Sequence, residues 1–77
     1  MMKWQKRIVV NSKVMVGKPV IKGTRLTVEL ILDLLARGYT TRQILKQYDH
    51  VTAADVQACL AYAAEMLKSE RIYPLSS

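Results

Sequence analysis

The chain of 77 residues holds one histidine, His50, and one cysteine, Cys59. A single cysteine excludes an intrachain disulfide, and one His with one Cys cannot assemble a zinc site. General acid–base chemistry needs a histidine or a matched pair of carboxylates in a cleft. The six acids are Glu29, Asp33, Asp49, Asp55, Glu65 and Glu70, and they are scattered over the chain. Glu29 and Asp33 share a charged helical stripe, and His50 falls in a turn with no evident partner. Cys59 falls mid-helix on an apolar side, where a thiol is buried and inert. Gly17-Lys18-Pro19 and Gly23-Thr24-Arg25 look like phosphate loops, but neither has the Walker spacing, and glycine at a tight turn explains both. The expectation is a protein without catalytic residues, cofactor or metal, which works by binding.

What it binds is suggested by charge. The net charge is +6. Residues 1–28 carry Lys3, Lys6, Arg7, Lys13, Lys18, Lys22 and Arg25 with no acid, whereas residues 29–77 have a net charge of −1. The whole excess sits in the N-terminal third, which suggests an arm that meets something anionic. A solvated face that keeps a small protein soluble would look the same.

The elements that must position these residues are short. Ile8-Val9-Val10, Val14-Met15-Val16 and Val20-Ile21 read as strand pieces separated by Asn11-Ser12 and by glycine turns. Alone they are too short for a stable sheet, so they must pair with each other, pack on helices or pair across a dimer. After Leu26 the period becomes helical. Thr27, Thr40 and Thr52 each have an N-cap hydroxyl, and each is flanked at hydrophobic-staple spacing by Leu26 and Ile31, Tyr39 and Ile44, or Val51 and Val56. Thr40 with Gln43 fits a capping box, and Thr52 with Asp55 nearly does. This spacing predicts helices from Val28 to Arg37, stopped by Gly38, from Thr41 to about Tyr48, and from Ala53 to about Ser69. The last would carry two stripes, Val56-Leu60-Ala63-Leu67 and Cys59-Tyr62-Met66. The fold class expected is mainly α. Residues 1–26 form a basic β arm, residues 27–69 a three-helix helix-turn-helix core, and residues 70–77 a flexible tail.

A domain this small buries only about 60% of the surface its unfolded chain exposes. With disulfide and metal excluded, a second subunit is the remaining staple, so a homodimer through the first helix, the third helix or both is expected. No apolar stretch approaches the length of a membrane span and no targeting signal is evident, so the expected location is cytoplasmic.

A short helix, a turn and a longer helix behind a first helix is the helix-turn-helix order. The would-be reading helix opens with Thr52, Ala53, Ala54, Asp55, Gln57 and Ala58, with no Arg or Lys before Lys68. Arg and Lys are the commonest readers of guanine, and an acid in the first turn repels phosphate. Any DNA affinity is therefore assigned to Lys18, Lys22 and Arg25 rather than to this helix. Arg25 has a competing structural use as the partner of Glu29 four residues on.

The run Gly17-Lys18-Pro19-Val20-Ile21-Lys22-Gly23-Thr24-Arg25-Leu26, followed by Leu35-Ala36-Arg37-Gly38, Gln47-Tyr48, His50-Val51-Thr52 and Asp55-Val56, is distinctive. Over about Arg7 to Ala64 the chain resembles the small prokaryotic family catalogued as domain of unknown function 433. The resemblance implies a homeodomain-like helix-turn-helix core after a β arm, often dimeric. It also implies a role as the antitoxin, of the VapB type, that neutralises a PIN-like ribonuclease toxin by direct binding; binding of its own operator DNA is an optional second role. A stand-alone DNA-binding or interaction module is the alternative. Thr27 stands where the family usually has proline, and residues 11–16 replace a stretch that often carries acidic and cysteine residues. The candidate partner-contacting residues are Lys18, Lys22, Thr24, Arg25, Arg37, Arg42 and Gln57. Among them Arg25, Arg37 and Arg42 are suited to enter an acidic metal site.

Overall fold

A computed structural model describes residues 4–10 and 17–69. The expected middle strand, Val14 to Val16, and the tail from residue 70 lie outside the described residues. A single 3-10 turn at Trp4–Lys6 leads into β1 (Ile8–Val10). Then come β2 (Pro19–Ile21), α1 (Val28–Ala36), α2 (Thr41–Gln47) and α3 (Ala53–Ser69). The described residues are mostly helical, with three α-helices and a small N-terminal two-stranded sheet.

The strand pieces solve their stability problem by pairing and packing. β1 and β2 are antiparallel, with Ile8 opposite Ile21, Val9 opposite Val20 and Val10 opposite Pro19. Beyond the ladder, the Lys22 N–H donates to the Arg7 carbonyl at 2.7 Å. On its other edge β2 receives the returning chain: the Ile21 N–H donates to the Leu26 carbonyl at 2.9 Å, and Val20 bridges Thr27. Both edges of β2 are therefore occupied. Proline at the first residue of β2 is tolerated because it donates nothing to the ladder. The arm is part of the core rather than an appendage, since Ile8 and Ile21 are buried in one cluster with residues of all three helices.

Each helix begins as its local chemistry dictates. The Thr27 hydroxyl accepts the Leu30 N–H at 3.0 Å. At Thr40 the capping box is complete: the hydroxyl accepts the Gln43 N–H, and the Gln43 side chain accepts the Thr40 N–H at 2.8 Å. Thr52 and Asp55 form the same reciprocal pair, at 3.2 and 3.0 Å, with a carboxylate in place of the amide. Each cap satisfies donors that the first turn of a helix otherwise orphans. α1 ends in a Schellman motif. The Tyr39 N–H returns to the Leu34 carbonyl and the Gly38 N–H to the Leu35 carbonyl, with Gly38 at φ +97°. That left-handed conformation is one that glycine adopts without cost.

The three helix starts supply core residues at their fourth positions, and Ile31, Ile44 and Val56 are all wholly buried. Val28 and Leu34 of α1 join them, while Leu30, Leu32 and Leu35 are half-buried against the same cluster. α3 departs from the expected double stripe. Val56 and Cys59 are wholly buried, and Tyr62 packs at the margin of the core. Leu60 and Leu67, however, are 42% and 57% exposed, and Met66 is 37% exposed. Among the described residues, the second half of α3 is met by Trp4. There the indole meets Tyr62 edge-on at 4.7 Å and donates from Nε1 to the Glu65 carboxylate. No helix is long and apolar enough to cross a membrane among the described residues.

Candidate partner-binding site

The five residues between Ile21 and Thr27 form a tight reversal between β2 and α1. Gly23 takes φ +83°, the conformation that allows the chain to turn there. Thr24 fixes the reversal: its N–H and its hydroxyl both donate to the Ile21 carbonyl, at 3.0 and 2.8 Å. The same hydroxyl accepts the Leu26 N–H at 3.0 Å. Thr24, expected to contact a partner, is therefore committed to holding the turn.

Its neighbours point away from the core. Lys22 and Arg25 are exposed. The pairing of Arg25 with Glu29 considered from sequence does not form. Glu29 is taken by Lys18, whose Nζ lies 3.1 Å from Oε1 across the surface. Arg7 is also engaged, donating from Nη1 to Asp55 Oδ1 at 3.2 Å. Among the described residues, the cations of the arm without an ion pair are Lys6, Lys22 and Arg25. Two of these three, Lys22 and Arg25, lie in the β2–α1 turn.

That turn faces the α2–α3 turn across a cleft of about 360 Å³. Gly23 to Leu26 form one wall and Gln47 to His50 the other. Leu26 and Tyr48 are half-buried and pack on the core, so the cleft has apolar flanks. Arg25 contributes a cation and Asp49 an anion from opposite walls, and the two form no ion pair.

The structure brings Thr24 and Arg25 into this cleft, beside Lys22, and leaves the other candidates elsewhere. Lys18 is at the entry to β2 on Glu29. Arg37 caps the opposite end of α1 and is held by Asp33, Nε to Oδ2 at 3.0 Å. Arg42 is exposed in the first turn of α2. Gln57 is exposed on α3, on an outward strip with Ala53, Leu60 and Ala64. Apart from Gln57 that strip offers nothing to hydrogen-bond a base edge.

Sequence reasoning missed the second wall. Gln47, Tyr48, Asp49 and His50 were read only as a helix end and a turn, because nothing local says that a turn 21 or more residues away will face them. It also misread Asp55. The expected phosphate-repelling surface charge is 7% exposed, joined to Arg7 and to the Thr52 N–H. Its spacing to Thr52 carried the capping signal, but the ion pair to β1 had no sequence signature. Cys59 is wholly buried. Burial, and secondarily the charge of Asp55, push its thiol up from 9.0 to about 12. Such a thiol stays protonated and unreactive at neutral pH. No group of three or more metal-ligating side chains converges among the described residues.

An uncharacterized protein of Archaeoglobus fulgidus is similar over 23 residues, at 78% identity. The match spans 30% of this chain and 64% of that protein, slightly under two thirds of its length. No solved structure matches the chain. The family described as "Protein of unknown function (DUF433)" matches residues 8–63, which include both strands, both walls of the cleft, α1, α2 and most of α3. The chain therefore belongs to the DUF433 family.

Proposed function

We propose that this protein is a non-catalytic antitoxin that neutralises a PIN-like ribonuclease by direct binding, covering the acidic metal site of the nuclease. The observation that carries this reading is the β2–α1 turn, where Lys22 and Arg25 are exposed and unpaired beside a cleft, while Arg7 and Lys18 are paired with Asp55 and Glu29. Nucleases of that class hold divalent metal with clustered carboxylates, because hard cations favour oxygen ligands. A guanidinium meets a carboxylate with two parallel hydrogen bonds, so an exposed arginine is a suitable cover for such a cluster. Arg25 and Arg42 are available for this, whereas Arg37 must first leave Asp33. The protein would work in the cytoplasm as a homodimer, through the apolar strip that Leu60 and Leu67 leave on α3.

The alternative is a stand-alone DNA-binding or interaction module, with operator binding as its antitoxin counterpart. It draws on Arg42 and Lys46, exposed one turn apart on α2. In a helix-turn-helix pair the first helix crosses the phosphate backbone, so these cations favour sequence-independent contact. The apolar outward strip of α3 weighs against base reading.

Co-expression with the product of the adjacent gene decides between them. The antitoxin reading expects co-purification, and ribonuclease activity that appears when this chain is removed. A neighbour that is no nuclease, or a nuclease that neither co-purifies nor loses activity, refutes it and leaves the binding module.

A further inference from the structure

Arg25 and Asp49 line opposite walls of one cleft and do not pair, so each keeps its hydrogen-bonding capacity for a third party. The cleft volume, about 360 Å³, lies at the lower end of the range for ligand pockets. It suits one side chain and a short piece of main chain better than a whole cofactor. Leu26 and Tyr48 flank it with apolar surface that lowers the local dielectric and strengthens a charged hydrogen bond made there. Lys22, next to Gly23 in the turn, adds attraction at longer range.

These features select an occupant. A carboxylate meets the planar fork of Arg25. Asp49, opposite, repels a second anion and accepts a hydrogen bond from an N–H donor. An extended peptide carries both groups, with an acidic side chain on one side and main-chain amides beside it. A nucleic-acid strand carries a phosphate at every residue, and its second phosphate would be brought against Asp49.

We infer that this cleft is a carboxylate-reading site, which holds one Asp or Glu side chain from an extended segment of a partner protein, with Arg25 as the residue that binds it. The inference rests on the reading of the chain as a protein-binding module and names the chemistry of the segment it takes. His50, on the same wall as Asp49, lies close enough to the occupant to report its presence.

The test uses amide-resolved NMR of the full chain. The probes are the capped peptide acetyl-Ala-Glu-Leu-Ala-amide, its Gln counterpart, and a single-stranded oligonucleotide of about eight residues, within the usual site size of single-strand binders. The Glu peptide is expected to move the amide signals of Gly23, Thr24, Leu26 and His50 together. Replacing its Glu by Gln, or making Arg25→Gln, should weaken binding roughly tenfold or more, the worth of one charged hydrogen-bond pair. Arg42→Gln should leave it unchanged. All these positions are exposed, so the variants fold. Equal binding of the Gln peptide, signals that move on α2 or α3 instead, or an oligonucleotide that takes the same site more tightly than the Glu peptide would each overturn the assignment. The antitoxin reading fails separately. A nuclease neutralised equally well by the Arg25→Gln variant removes the cleft and leaves the antitoxin. A Glu peptide held through Arg25 where no nuclease is neutralised does the reverse.

Discussion

Arg7, the residue just before β1, reaches Asp55 in the first turn of α3, Nη1 to Oδ1 at 3.2 Å, and so ties the start of the sheet to the longest of the described helices. Asp55 is the one buried acid among the described residues, and it answers to two donors from different parts of the chain, the Arg7 guanidinium and the Thr52 N–H. Breaking the tie from the two ends should not cost the same. Asp55→Ala removes the helix cap as well as the ion pair, and should destabilise by about 2–3 kcal/mol. Arg7→Ala leaves a carboxylate that still has its N–H donor and reaches water where the half-exposed arginine stood, for about 1–2 kcal/mol. Urea denaturation of the two variants checks this, and a larger loss at Arg7 would show that the pair, not the cap, dominates.

The Cys59 thiol sets a stability limit at high pH. Its folded pKa, about 12, lies above its ordinary value of 9.0. The stabilisation is therefore complete below pH 9, where the thiol is protonated in both states. It is lost as pH rises from 9 towards 12, because the unfolded thiol ionises and the folded one does not. Between pH 8 and pH 10 the native protein should lose about 1.4 kcal/mol more than a Cys59→Ala variant, one proton per molecule. Denaturation at the two pH values measures the difference, and equal losses would place the thiol in contact with water.

Leu60 and Leu67 lie two turns apart on α3 with Ala64 between them, and both are largely exposed. Light scattering at micromolar concentration should give the mass of a dimer. Leu60→Lys with Leu67→Lys should reduce it to that of a monomer with its helical content intact. A wild-type protein that is already monomeric, folded and soluble would rule out this interface.

If DNA is bound at all, salt dependence will identify the contacting surface. Each phosphate contact removed should reduce the slope of log affinity against log salt by roughly 0.9. Alanine at Lys22 and Arg25 should flatten the slope, and alanine at Gln57 should not. Lys18→Ala should have a smaller effect than either, because Glu29 already offsets its charge. A slope that answers to Gln57, or only to Arg42 and Lys46, would move the interface off the β2–α1 turn.

The helix starts, the stop at Gly38 and the strand pieces were legible in the sequence because they are local. A threonine hydroxyl caps the amide three residues on, glycine takes the left-handed turn, and β-branched runs stay extended, whatever the rest of the chain does. The alternation of burial that follows from those starts, with Ile31, Ile44 and Val56 inside, was legible for the same reason. Contacts between distant segments were not. Nothing in the spacing of Arg7 and Asp55, or of Lys18 and Glu29, records that they will meet, because an ion pair is set by where two elements pack. The outward turn of Leu60 and Leu67 is also a tertiary fact. Their helical period is that of a core stripe, and only the packing of α3 against the other described elements decides that they stay exposed. The cleft between Arg25 and Asp49 exists for that reason too: the helix packing brings two separately encoded turns to face each other, and no residue in either turn specifies the distance between them.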